Sequence, residues 1–197
     1  MESPLLRSSI SFQDTIDTLG ISKETAALLD DMRFLTTSVI NLQDNNTEHG
    51  AAKLLMTARW IHERTAASPS ISDEGSPVAG DIIYECCRMA AKVYTGAIMS
   101  RVPLSQSCGI QDIKAFWGVM PQISLTRWKS ISGIFLWICS VLCPGAQWTM
   151  FGRYLKSLVS NLITDIGLNK WDVMVGCVEG LLRVHVWLKQ ENDLVED

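Results

Sequence analysis

The sequence predicts an all-α fold, a helical bundle or stacked helical array of about seven to eight helices in one domain. Three observations carry this. Apolar residues recur at steps of three and four along most of the chain, the spacing of one helix face. No run alternates strictly between apolar and polar residues, so no sheet is expected. Short links containing Gly, Pro, Ser or Asn separate the helical stretches, which favours neighbouring helices packed side by side. No repeat of fixed period is visible.

The first segment, Ser11 to Leu19, is amphipathic and short. Gly20 and Ser22 punctuate the start of a longer helix, with Ser22 as its expected N-cap and Glu24 near its N-terminus. Leu28, Met32, Leu35, Val39 and Leu42 form one apolar stripe, Asp30, Asp31 and Arg33 take the other faces, and Asn45-Asn46 ends the helix. A second helix from about Glu48 to Thr65 has Ala51, Leu55, Ala58 and Ile61 or His62 on its buried side. The Ser-, Pro- and Gly-rich stretch at 66–80 reads as a flexible surface loop.

Helical spacing resumes with Ile83, Cys86 or Cys87, Ala90, Val93 or Tyr94, and Ala97, and ends before Pro103. Ser105 to Gly109 reads as a connection, and Ile110 to Met120 as a short helix closed by Pro121. The most apolar helix carries Ile131, Ile134, Phe135, Ile138 and Val141 or Leu142, with Leu136 and Trp137 on another side, and stops at Pro144-Gly145. Phe151, Tyr154 or Leu155, Leu158 and Leu162 define the next, with Gly167 as its expected C-terminal glycine. The last helix opens near Asn169. It has two apolar lines, Met174, Val178, Leu181, His185 and Leu188 beside Val173, Cys177, Val184 and Trp187, which predicts contact from two sides. An acidic tail at about 190–197 is expected to fray.

Hydrophobic residues make up 47% of the chain and charged residues 19%, which excludes global disorder. Seven Trp in 197 residues point to rings used as core or interface anchors. With a net charge of −4 and Arg127-Trp128-Lys129 as the densest basic group, the chain lacks the basic patch that phosphate recognition needs. Direct binding to nucleic acid is therefore not expected. No charge lies between Lys129 and Arg153, but the apolar helix proper covers only Ile131 to Cys143. A membrane span needs roughly 20 apolar residues, so a helix buried in the middle of the domain is the expectation.

No pair among Cys86, Cys87, Cys108, Cys139, Cys143 and Cys177 has C-x-x-C spacing, and most lie in apolar helical patterns. The start, Met1-Glu2-Ser3-Pro4, does not read as a secretory signal. Free buried thiols in a reducing compartment are expected. Cys139 and Cys143 lie one helical turn apart without further ligands near them in sequence, and adjacent Cys86 and Cys87 point to different faces, so no metal is assigned. His49, His62 and His185 are widely separated, and His185 reads as a hydrogen-bonded core or interface histidine. No nucleophile elbow, phosphate loop or dinucleotide fingerprint is present, so no catalytic, metal, cofactor-binding or DNA-binding residue is assigned and no cofactor is expected. Asp30, Asp31 and Arg33 are expected to form a solvated face or a packing ion pair, not a partner surface.

Three stretches nevertheless resemble the regulatory domain of fungal-specific zinc-cluster transcription factors. The first is Thr25 to Thr37, with its Asp30-Asp31-Met32-Arg33-Phe34-Leu35 core; the second is Tyr84-Glu85-Cys86-Cys87-Arg88-Met89-Ala90-Ala91-Lys92-Val93-Tyr94. The third is Ile134-Phe135-Leu136-Trp137-Ile138, followed by Pro144-Gly145-Ala146 and Phe151. The resemblance runs from about residue 4 to residue 188 and implies a non-enzymatic transcriptional regulator of the nucleus (a cytoplasmic protein otherwise). In that family a six-cysteine module binds two zinc ions and reads DNA, while a large helical domain regulates it. The six Cys here do not have that spacing, and the charged pair often found before the Trp-Phe helix start is replaced by Gln147-Trp148. The chain therefore looks like the C-terminal part of the family domain. Apolar surface exposed by such a partial domain predicts self-association or protein partners. The alternative is a stand-alone helical small-molecule binder or enzyme, whose mark would be a deep pocket with convergent polar groups such as His185 or Tyr154.

Overall fold

Ten α-helices and no strand occupy the described residues, 1–45, 48–73, 75–146 and 149–196 of the computed structural model. In chain order they are α1 (Ile16–Leu19), α2 (Lys23–Asn45), α3 (Glu48–Ala67), α4 (Ile82–Ser100), α5 (Leu104–Ser107), α6 (Ile110–Val119), α7 (Leu125–Ser130), α8 (Ser132–Leu142), α9 (Met150–Asn169) and α10 (Trp171–Glu196). Asn46 and Gln147-Trp148 lie outside the described residues. The all-α expectation holds.

Ser22 starts α2 as expected, its Oγ accepting from the Thr25 N–H at 3.2 Å. Gly20 takes the left-handed conformation (φ 60°) that closes α1. The stripe Leu28, Met32, Leu35 and Val39 is buried, and Leu42 packs half-buried at its end. On α3 the buried line is Leu54, Ala58, Ile61 and Thr65, so Leu54 replaces the expected Leu55, which is half-buried. Ala58 and Ile61 suit either line, and packing against α4 selects between them.

Two helices form the centre. α4 packs against α2, α3, α5, α6 and α8, and every residue of α8 is buried. That burial accounts for the uncharged stretch; among the described residues no helix is long and apolar enough to cross a membrane.

The short helices α5 and α7 were not expected. α7 has a Ser124 cap, and Ile131 (φ −118°, ψ 38°) breaks it from α8 without a Gly or Pro. Gly167 is not a helix stop: it lies inside α9 without a positive φ, and α9 continues to Asn169. Its missing Cβ instead faces the Met174 and Trp171 side chains, where α9 and α10 approach. The backbone of α10 is helical as far as Glu196.

The first ten residues are non-helical, yet Ser3, Pro4 and Leu5 are buried. They thread a slot between α8 and α10. A Cβ on Gly133 would collide with the Glu2 carbonyl, one on Gly180 with the Leu5 carbonyl, and one on Gly176 would lie 2.9 Å from the Leu6 side chain. The glycines thus let backbone approach helix directly.

Candidate functional site

The acidic-arginine core of α2 holds this N-terminal segment. The Asp30 carboxylate accepts from the Ser11 hydroxyl at 2.6 Å and from the Phe12 N–H at 2.8 Å, capping the turn that leads into α1. Arg33, one turn on, is buried. Its guanidinium pairs with Glu2 at 2.6 Å, donates to the Ile10 and Ser3 carbonyls, and lies over the Phe12 ring at 4.1 Å. Asp31 pairs with Arg64 of α3. The packing alternative expected for this cluster is therefore what the structure has, whereas a solvated face is wrong for Arg33. No local pattern marked Glu2 as its partner, because the pair spans 31 positions.

The three stretches that carry the family resemblance meet in the core. The Thr36 hydroxyl of α2 donates to the Met32 carbonyl and so accepts from the Tyr94 hydroxyl of α4 at 2.8 Å. The Tyr94 ring meets Trp137 of α8 edge to face, with centroids 6.2 Å apart. Burial raises the Tyr94 pKa, so the phenol stays protonated as a donor. These residues fix how three helices pack; the geometry offers no reacting atom access to them.

All six cysteines are free, and only Cys143 is more than marginally exposed. Burial pushes every thiol up, Cys108 to about 12. Thiolate is the attacking species in thiol exchange, so burial slows the reaction of these groups near neutral pH. Among the described residues no group of three or more His, Cys, Asp or Glu side chains could hold a metal ion. We expect a disulfide-exchange reagent at pH 7 to label Cys143 slowly and the other five only after unfolding. The unfolded chain ionises first as pH rises through about 8.5, so it binds fewer protons than the folded one. Stability should be level below that pH and fall above pH ~9; equilibrium urea unfolding across that range checks the sign. Rapid labelling of several thiols in the native chain would contradict the burial.

The histidines do not converge. His49 is exposed on α3. His62 donates from Nδ1 to the Thr95 hydroxyl at 2.8 Å, since that hydroxyl itself donates to the Ala91 carbonyl. His185 is exposed, not a core histidine: the buried side of α10 is the Cys177, Val184, Leu188 line, and His185 falls off it. The basic group at 127–129 is also structural in part. Arg127 donates to the Leu19 and Gly20 carbonyls at 2.7 Å each, closing the end of α1, and Trp128 is a core ring stacked on Phe135 at 4.4 Å.

A cleft of about 460 Å³ opens between α7, α8 and α9, lined by Leu125, Lys129, Leu158, Asn161, Leu162 and Asp165 among others. Neither His185 nor Tyr154 lines it; Tyr154 stands half-exposed against Trp117. Exposed apolar side chains are spread over the surface, Leu168 and Met150 of α9 among them, and two groups of them lie on α3 and α10. Met56 and Trp60 of α3 continue into a groove that reaches Phe34 of α2. Trp171, Val175, Leu182 and Val186 line the outer face of α10. Sequence spacing alone did not tell which face of α10 lies outward. Compared with family models, with curated proteins and with solved structures, the chain matches none.

Proposed function

We propose that this chain is a non-enzymatic helical regulatory domain of a transcription factor, resembling that of the fungal zinc-cluster family and without its own DNA-binding module. It acts in the nucleus through protein contacts. The observation that carries this reading is the junction of Thr36, Tyr94 and Trp137, which ties the three family-like stretches into one packing unit. Stretches that resemble a family and also touch one another in the core support a shared architecture better than scattered matches do. The exposed apolar groups on α3 and α10 supply the contact surfaces such a domain needs. The alternative, a small-molecule binder or enzyme, loses the polar groups named for it, because His185 and Tyr154 stand outside the cleft.

The test is a tethered reporter. The full chain fused to an unrelated DNA-binding module should change reporter output in a fungal host by at least about threefold in either direction, while the unfused chain shows no salt-sensitive retention on duplex DNA. A fusion that folds, enters the nucleus and leaves the reporter unchanged would overturn the reading, as would tight duplex binding by the chain alone.

A further inference from the structure

The cleft between α7, α8 and α9 is apolar within and charged at its rim. Leu125 of α7 forms one wall and Leu158, Leu162 and Leu168 of α9 the other, over a floor closed by the stacked Trp128 and Phe135 rings. Leu125 (54% exposed) and Leu168 (83%) stand at the mouth, while Leu162 is buried. Lys129, one turn after Leu125, brings a cation to the first wall; Asn161 and Asp165, one turn apart, stand on the second. Among the described residues the Lys129 ammonium, the Asp165 carboxylate and the Asn161 amide have no hydrogen-bond or ion-pair partner.

We infer that this cleft binds a free amino acid with a large apolar side chain. Its carboxylate faces Lys129, its ammonium faces Asp165, and its side chain lies between the leucine walls. Charge complementarity selects the class. A simple anion would gain Lys129 but meet repulsion from Asp165, and a simple cation the reverse; a neutral apolar molecule would leave both charges unused. A zwitterion uses both, and the Asn161 amide can donate to its carboxylate or accept from its ammonium. The volume of about 460 Å³ lies in the lower half of the range for small-molecule sites, which suits a single amino acid better than a peptide.

Bound across the gap, the ligand ties α7 to α9, two helices that each pack on α8. It adds an effector to a non-enzymatic domain, and no reaction. The inference does not rest on the transcriptional reading: a cleft that fails to bind leaves the reporter result untouched, and an inactive reporter fusion leaves binding untouched.

Ligand-observed NMR titration of the full chain with L-leucine and L-phenylalanine tests this. At least one of the two should bind with a dissociation constant on the order of 1 mM or below, the strength so small a ligand reaches. N-acetyl-L-phenylalanine lacks the ammonium and L-phenylalaninamide lacks the carboxylate, and each should bind about fivefold more weakly than L-phenylalanine. Glycine, with both charges and no side chain, should not bind. Lys129→Met should weaken L-phenylalanine about fivefold and leave the amide unaffected; Asp165→Asn should do the same with the N-acetyl form unaffected. Both positions are exposed, so circular dichroism should be unchanged, and Lys156→Met, on α9 outside the cleft, should bind as the wild type does. Hydrogen exchange with ligand should slow in α7 and α9 and not in α3. No binding of either amino acid at about 10 mM would overturn the inference. So would equal binding of the free and blocked forms, or binding that survives Lys129→Met and Asp165→Asn combined.

Discussion

Arg33→Ala is expected to destabilise the chain by about 3 kcal/mol and to free residues 1–12 from the helices. Removing one partner of a buried ion pair generally costs about 3–5 kcal/mol, because the other charge is left without compensation. Arg33 is 7% exposed, but its partner Glu2 is 15% exposed and can turn toward water, which places the effect at the lower end. The Ile10 and Ser3 carbonyls lose a donor at the same time, and Phe12 loses the guanidinium above its ring. Glu2→Gln should cost less, since Arg33 keeps its carbonyl acceptors. Urea unfolding measures the loss, and hydrogen exchange locates it: the amides of residues 3–12 should lose protection before those of α4 and α8. Uniform loss across all helices would mean that Arg33 supports the whole core and not the N-terminal segment.

Much of this fold was legible because the long helices bury one face each, and a face of period 3.6 shows in local spacing. Leu28 to Val39 on α2 and Ile134 to Leu142 on α8 are such cases. The misses fall where a neighbour distant in sequence decides. Leu54 or Leu55 differ by one position in register, and only the docking of α3 on α4 separates them. Gly167, Gly133 and Gly180 look alike in sequence; one lies inside a helix at a helix–helix approach, while two admit the backbone of the N-terminal segment. The role of Arg33 was invisible because its partners belong to a segment without helical spacing. His185 and Cys177 both sat on apolar lines of the last helix, and nothing local told which line faces inward. The outward face of α10 can be told from the inward one only once Cys177, Val184 and Leu188 are known to face the core.

Trp137→Ala should be among the most damaging single changes in the core, at about 3–5 kcal/mol, the range for emptying a buried aromatic site. The ring is fully buried in a helix with no exposed residue, so no side chain can swing in from the surface to fill the cavity. Trp137→Phe should be far milder, at about 1 kcal/mol. The indole N–H is buried without an acceptor, so phenylalanine loses volume but also sheds an unsatisfied donor. Tyr94→Phe should likewise cost about 1 kcal/mol, since Thr36 keeps its bond to the Met32 carbonyl. If Trp137→Phe is as harmful as Trp137→Ala in urea unfolding, the indole nitrogen has a partner such as ordered water, and its lack of one is not what sets the cost. The same series separates architecture from action. Reporter output from the tethered chain should fall in step with the folded fraction across Thr36, Tyr94 and Trp137 variants. A variant that kept its unfolding midpoint and lost reporter output would place the regulatory contact at this junction instead of on the exposed faces of α3 and α10.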